Sequence, residues 1–362
     1  MSKLLESKPA SDKFYMPGEH KKHKGTGMIG PERTDNGRNG AKPAQEVFVN
    51  VANTIAKHEP LTMIVSAKQF ENACYHLAEN VRLVEMSNDD SGMRDCGPTF
   101  VKNDKNEVRG IDGIFNAGGG LHSGLYFPGD SDDKIAQKTC EIAAVDRYRA
   151  DFVLEGGSIH VDGEGTLYTT EECLLHENRN PDLTKEDIEQ NMKDYLGISK
   201  IIWLPLGVFN DETNGHVDNM LHVVEPGHVV LTGTDDKNDP QYERSSKALE
   251  VLENSTDAKG RKIKVTKIHQ PGPLFYTDDE AAGIDACDGM VRTGGERLAG
   301  SYANFYICNG AVILPIFNDS HDKDAIETIQ QLFPDRKVEP IYAREILLGG
   351  GNIHCITQQE VE

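Results

Sequence analysis

What the chain lacks narrows its chemistry first. Its seven cysteines, at positions 74, 96, 140, 173, 287, 308 and 355, include no CxxC pair. An odd count without that spacing suggests neither a zinc site nor a disulfide framework. Basic charge is in deficit: 38 Lys and Arg stand against 59 Asp and Glu, a formal charge of −21. That balance disfavours nucleic acid and anionic membranes as partners, and it would concentrate a small cation near the surface. Phosphate-binding and common hydrolase signatures are missing too: GxxxxGK[ST], GxSxG, HExxH, an EF-hand loop and a properly spaced GxGxxG are all absent. No apolar run approaches a membrane span, and MSKLLESKPASDKFYMPGEHKKHK lacks the apolar stretch of a secretory signal. A cytoplasmic location is therefore expected. Without a Pro/Gly/Ser-rich linker, residues 1–362 are expected to form a single domain.

What is present alternates between two periods. Residues 43–57 carry Val47, Val51 and Ile55 at helical spacing, and LTMIV at 61–65 is β-rich. Further β-rich runs lie at 81–86, 201–204, 228–231, 263–268 and 311–314. Helical patterns separate some of them, notably 184–196, where Thr184 and Asp187 resemble a capping box, and 324–333, with Ile326, Ile329 and Phe333 on one face. The chain reads as α/β.

One internal echo stands out: LEGGSIH at 154–160 and LGGGNIH at 348–354. A repeated unit would account for it. The copies differ in the next residue, Val161 in the first and Cys355 in the second. A cysteine near a chain end could be a plain buried hydrophobe; as a nucleophile it needs a partner that lowers or accepts its proton. His216, in ETNGHVDNM, is a candidate partner, and in a strand Asp218 would share its face. Glu155 opens the first echo, and Asp95 lies in MRDCGPTF beside Arg94, with which it could form a local ion pair. Taken alone, Glu155 could be a solvated surface carboxylate. Two carboxylates facing one another would suit a planar cation such as guanidinium.

Taken in order, the stretches MPGEH, PERTDNGRNGAKPAQ, MRDCGPTF, LYFPGD, FVLEGGSIHVDGEGT, ETNGHVDN, TDAKGRKIKV, SYANFYI, FPDRKV and GGGNIHCITQQ resemble the agmatine deiminase family of the guanidine-modifying pentein superfamily. The likeness covers nearly the whole chain. It implies a five-bladed α/β propeller with pseudo-fivefold repeats, and hydrolysis of agmatine to N-carbamoylputrescine and ammonia without metal or organic cofactor. It further implies Cys355 as nucleophile, His216 as acid and base, Glu155 as its carboxylate partner, and Asp95 and Asp218 as holders of a small cationic guanidino substrate. A homo-oligomer is also implied. A catalytically silent binding module and a deiminase acting on arginine are the competing readings.

The chain departs from that family in one direction. Glycine stands at positions where the resemblance calls for tryptophan: Gly27, Gly30, Gly37, Gly92, Gly113, Gly118, Gly129 and Gly233, leaving Trp203 as the single tryptophan. Loss of a buried ring costs roughly 3 kcal/mol or more per site, against about 5–15 kcal/mol for a whole domain. We read the eight as tryptophan codons of the UGA type decoded as glycine. Codons of the form GGN at these positions would contradict this.

Overall fold

The computed structural model describes residues 2–121, 123–287 and 289–362. The described residues form five small sheets that repeat one connection. In four of them an antiparallel hairpin is followed by a helix and then by a strand parallel to the hairpin's second member. Thr99–Lys102, Val108–Ile114 and Asp146–Val153 make one such unit, to which Leu4–Leu5 adds an edge. Ile159–Val161, Thr166–Thr170 and Lys200–Leu204 make the next. Leu221–Glu225, His228–Gly233 and Lys264–His269 follow, and then Tyr306–Ile307, Ala311–Ile316 and Lys337–Tyr342. The remaining sheet joins the two ends of the chain: Gln358–Val361 runs antiparallel to His23–Ile29, which pairs in parallel with Leu61–Val65, and that in turn with Arg82–Glu85.

The expected helices form at Lys42–Ile55, Lys185–Leu196 and Asp322–Leu332. Thr184 accepts from the backbone N–H of Asp187, and the Asp187 carboxylate accepts from that of Thr184, so the capping box is complete. Each helix buries its apolar stripe against its own sheet or the next. Phe48, Val51 and Ile55 pack with the strands Leu61–Val65 and Ala311–Ile316; Ile188, Met192 and Leu196 pack with Tyr148, Ile159 and Leu167; Ala248 and Leu252 pack with Val229 and Leu231. Each of the Val, Leu, Ile, Phe and Met side chains among them contributes about 1.5–3 kcal/mol. The apolar core is thus divided among the units. Among the described residues, no helix is long and apolar enough to cross a membrane.

A cavity of about 590 Å³ opens between the helices Lys42–Ile55 and Phe70–His76, bordered by Gly30, Phe48, Met63, Val65, Ala73 and Leu77. A Cβ on Gly30 would stand 3.0 Å from Val65 Cγ1, a contact that a shift of a few tenths of an ångström relieves. An indole buries about 150–250 Å², worth up to about 4–6 kcal/mol if fully enclosed. In this half-open cavity Gly30→Trp is expected to add about 2 kcal/mol. The check is a higher urea midpoint at unchanged m-value; an unchanged or lower midpoint contradicts it.

Candidate active site

Just before the first strand of each hairpin, and before Gln358–Val361, the chain makes a short turn. Those five turns carry the polar residues of the site. Asp95 lies on the one-turn helix Met93–Cys96, ahead of Thr99–Lys102. Glu155 precedes the turn Gly156–Ser158, ahead of Ile159–Val161. His216 caps the helix Val217–Met220, whose first turn holds Asp218, ahead of Leu221–Glu225. Asn304 precedes Tyr306–Ile307, and Cys355 precedes Gln358–Val361. The sequence echo is thus two of five equivalent positions.

The strand expected for His216 and Asp218 is not what forms; they occupy the start of a helical turn instead. They still converge, because both face Gly157. A Cβ built there would stand 2.5 Å from His216 Nδ1, 2.9 Å from Asp218 Oδ2 and 3.0 Å from Asp95 Oδ1. Only glycine leaves those three side chains room to meet. The backbone N–H of Gly157 also donates to Asp95 Oδ1 at 2.9 Å.

Glu155 is buried, 2% exposed, which overturns the solvated reading of it. Arg179 grips it with a two-pronged fork, Nε to Oε2 at 2.7 Å and Nη2 to Oε1 at 2.9 Å. Burial alone would raise its pKa, but Arg179 and then His216 outweigh it and bring the carboxyl down to about 2. Oε1 of this fixed anion lies 3.3 Å from His216 Nε2. Burial also opposes charge on His216, yet Asp95, Cys173 and Glu155 together raise it well above the ordinary histidine range. The ring therefore rests as an imidazolium. Asp95 is pushed up to about 6, by burial first and then by Glu155 and Asp218, with His216 pulling the other way.

Cys355 has a different neighbourhood from the one the sequence suggests. Its Sγ lies 3.4 Å from Asn304 Nδ2 and 3.5 Å from Asp218 Oδ2. Burial, then Asp218 and Asp95, raise the thiol well above its usual pKa, so it rests protonated. Asp95 and Cys355 border a cavity of about 70 Å³ together with Arg33, Asp90, Gly92 and Thr213.

The local ion pair considered for Asp95 and Arg94 does not form. Arg94 is buried and turns away to Glu19, with Nη2 to Oε2 at 3.2 Å. Beneath the site His160 stacks on His354 at 4.9 Å between ring centroids, so the echo brings its two histidines together. The ring nitrogens of His160, His222 and His354 lie within 4.8 Å of one another, as do ligand atoms of Glu155, Cys173 and His216. Neither set suits a cation. Both nitrogens of His354 already meet carboxylates, Asp218 at 2.8 Å and Glu19 at 2.7 Å, and Arg179 already takes both oxygens of Glu155.

Sequence reading missed Arg179, Asn304 and Glu19, and gave Arg94 only as a local partner of Asp95. Arg179, set between two asparagines in ENRNPDL, carries a compositional hint, since a guanidinium flanked by amides can be locked in place. Asn304 carries none.

Residues 15–360 fit the family model for Porphyromonas-type peptidyl-arginine deiminase. A Mycoplasma capricolum protein carrying an agmatine deiminase name is 66% identical over 360 residues, covering 99% of both chains. The agmatine deiminase of Pseudomonas aeruginosa is 56% identical over 357 residues, 98% of this chain and 97% of that one. The solved structure of Enterococcus faecalis agmatine deiminase superposes with a TM-score of 0.97 at 48% identity, covering all of both chains. Matched from end to end by relatives more than half identical and by that family model, the chain belongs to the Porphyromonas-type peptidyl-arginine deiminase family and, within it, to the agmatine deiminases of the pentein superfamily.

Proposed function

We propose that the chain hydrolyses agmatine to N-carbamoylputrescine and ammonia through a covalent amidino-thioether on Cys355. The observation that carries this reading is the convergence of Asp95, Asp218 and His216 on Gly157, with the Cys355 thiol beside Asp218. Asp218 Oδ1 is buried without a hydrogen-bond partner, which is costly unless a ligand supplies a donor. A guanidinium is planar and offers donors in a fork, so it can satisfy Asp95 and Asp218 at once.

Seating that cation between the two carboxylates offsets the charges that keep the thiol protonated. Sγ then gives up its proton to solvent and attacks the central carbon, whose position relative to the nucleophile the carboxylates fix. His216, already an imidazolium, delivers its proton to the departing nitrogen, which leaves as ammonia. The neutral ring then takes a proton from water as that water attacks the thioether carbon; the thiolate leaves and takes the proton of the new hydroxyl, so urea product, thiol and imidazolium are all restored. Glu155, held by Arg179, keeps the ring oriented and favours its charged form throughout.

The five like-connected units also support a five-bladed propeller closed by the pairing of Gln358–Val361 with His23–Ile29. Residues 1–362 then act as one domain around one site, and the family likeness favours a homo-oligomer.

Asp90 borders the cavity with Asp95, and the other charged groups on that border are paired, Glu345 with Arg38 and Arg33 with Asp35; the excess of carboxylate favours a distal amine over the carboxylate of arginine. Agmatine should therefore exceed arginine in kcat/KM by about 100-fold or more, since each misplaced charge costs several kcal/mol. Equal values would move the reading to arginine. The kcat/KM for agmatine should fall as pH drops below about 6, where Asp95 gains a proton, and fall again at alkaline pH as His216 loses its own. A profile flat through pH 5 contradicts the role of Asp95.

A further inference from the structure

The residue before Cys355 does something the reaction scheme does not use. His354 is buried, and each of its ring nitrogens faces a carboxylate: Nδ1 lies 2.8 Å from Asp218 Oδ2, and Nε2 lies 2.7 Å from Glu19 Oε2. A neutral imidazole has one N–H, and an ionised carboxylate can only accept. Both contacts are satisfied together when the ring carries two protons and a positive charge.

We propose that His354 is a positioning residue: an imidazolium clamped between Glu19 and Asp218 that keeps Asp218 ionised and aimed at the guanidinium site beside Cys355. The proposal rests on the reading of Asp218 as a substrate holder.

The surroundings fit a permanent charge. Glu19 is itself fixed by Arg94 at 3.2 Å and by the backbone N–H of Ile307 at 2.9 Å; His222 lies beside it, Nε2 at 3.5 Å, with Nδ1 3.2 Å from the carbonyl oxygen of Ala303. Arg94 donates to the carbonyl of His354 at 3.2 Å and to Gln359 Oε1 at 2.7 Å, while the backbone N–H of His354 donates to Asn304 Oδ1 at 3.0 Å. The two rings against His354 are His160, stacked, and His222, edge-on at 5.2 Å. Burial, then neighbouring positive charge, lowers His160 well below the ordinary range; burial also lowers His222, although Glu19 pulls that ring the other way. Both are neutral, leaving two cations, Arg94 and His354, against two anions, Glu19 and Asp218. Asp218 also faces His216 and the Cys355 thiol. Burial would raise its pKa, but the hydrogen bond and charge of His354 lower it.

Without the imidazolium, Asp218 would sit buried beside the other anion of the site, Asp95, with its strongest local cation gone. Its carboxyl would then hold a proton to higher pH and grip a guanidinium poorly. His354→Gln keeps an amide donor and removes the charge. At neutral pH it is expected to raise KM for agmatine by about 10-fold or more and, with Asp218 then titrating above Asp95, to move the acid limb of kcat/KM about one pH unit above the Asp95 limb and hand it to Asp218. Activity should return as pH is raised, which damage to the fold alone would not do. Because the effect runs through Asp218, adding His354→Gln to Asp218→Asn should cost less than about 3-fold beyond Asp218→Asn alone.

An unmoved acid limb in folded His354→Gln, or losses that multiply fully in the double variant, would overturn the proposal. If Asp218→Asn itself leaves KM unchanged, the substrate-holding reading of Asp218 fails, and with it the route proposed for His354. The native chain supplies an arm independent of variants. With ¹⁵N-labelled histidine, His354 should carry protons on both nitrogens at neutral pH, where an unshifted imidazole is mostly neutral; a neutral ring there would overturn the proposal even if every variant misfolds.

Discussion

Gly157→Ala is expected to reduce kcat/KM for agmatine by about 10³-fold or more without removing a single reactive group, because misplacement by about 1 Å can itself cost 10²-fold. The added methyl would stand 2.5 Å from His216 Nδ1, 2.9 Å from Asp218 Oδ2 and 3.0 Å from Asp95 Oδ1, all tighter than or at the limit of real contacts. None of the three can yield freely. Asp218 is held by His354 at 2.8 Å, and His216 is backed by Glu155, which Arg179 fixes. The methyl must therefore displace at least two groups that the guanidinium needs in place. Steady-state assay of the purified variant, with circular dichroism to confirm folding, measures this. Activity within 10-fold of the parent would mean that the three side chains do not work from the positions described.

Cys355→Ser is expected to be at least as severe, on the order of 10⁴-fold or more, comparable with removal of a nucleophile elsewhere. The site gives a serine no help. His216 already carries its proton at rest and cannot take another, and the nearest groups to the sulfur are Asp218 at 3.5 Å and the amide of Asn304 at 3.4 Å. A thiol becomes a thiolate when a guanidinium cancels the adjacent charges; a hydroxyl, ionising several pH units higher, does not. Binding should survive, because Asp95 and Asp218 are untouched. The expected signature is a collapsed kcat beside a dissociation constant for agmatine within a few-fold of the parent.

The elements that hold the site were largely readable from the chain. Leu61–Val65 and the helices Lys42–Ile55 and Lys185–Leu196 follow apolar periodicity, and the Thr184 capping box follows from side-chain chemistry within one turn. The turn at His216 was not readable, because four residues carry no period, and the strand reading of H-x-D failed for that reason. The fork of Arg179 on Glu155 joins residues 24 apart, and the clamp of His354 on Glu19 joins residues 335 apart. No local pattern marks such pairs. The echo at 154–160 and 348–354 was the one visible trace of the repeat, and three further turns share its place without sharing its letters.

Space separates the glycines into two kinds. At Gly156 a Cβ would meet the Arg94 carbonyl at 2.2 Å, so that position, like Gly157, needs its glycine. At Gly92 nothing lies within 4 Å, and at Gly113 and Gly129 the nearest atom is 3.4 Å away. Gly233 meets Ser245 Cβ at 3.3 Å, and Gly27 meets the flexible end of Met93 at 2.8 Å. Those positions, with Gly30, leave room for a Cβ or need only a small shift of a neighbouring side chain to take one, the first condition for a tryptophan there. Gly37, 2.8 Å from Ala41 Cβ, and Gly118, at φ +69°, are the two that resist in the present backbone. Gly92 borders the cavity that Asp95 and Cys355 share, so a ring there would narrow the substrate's entry and add apolar contact to its carbon chain.

If Cys355 forms the covalent intermediate, the intact chain quenched in acid during turnover of agmatine will contain a species heavier than the free chain by agmatine less one ammonia, mapped by peptide digestion to Cys355 and absent in Cys355→Ser. Ammonia release at full rate with no such adduct, or an adduct on any other residue, would contradict it.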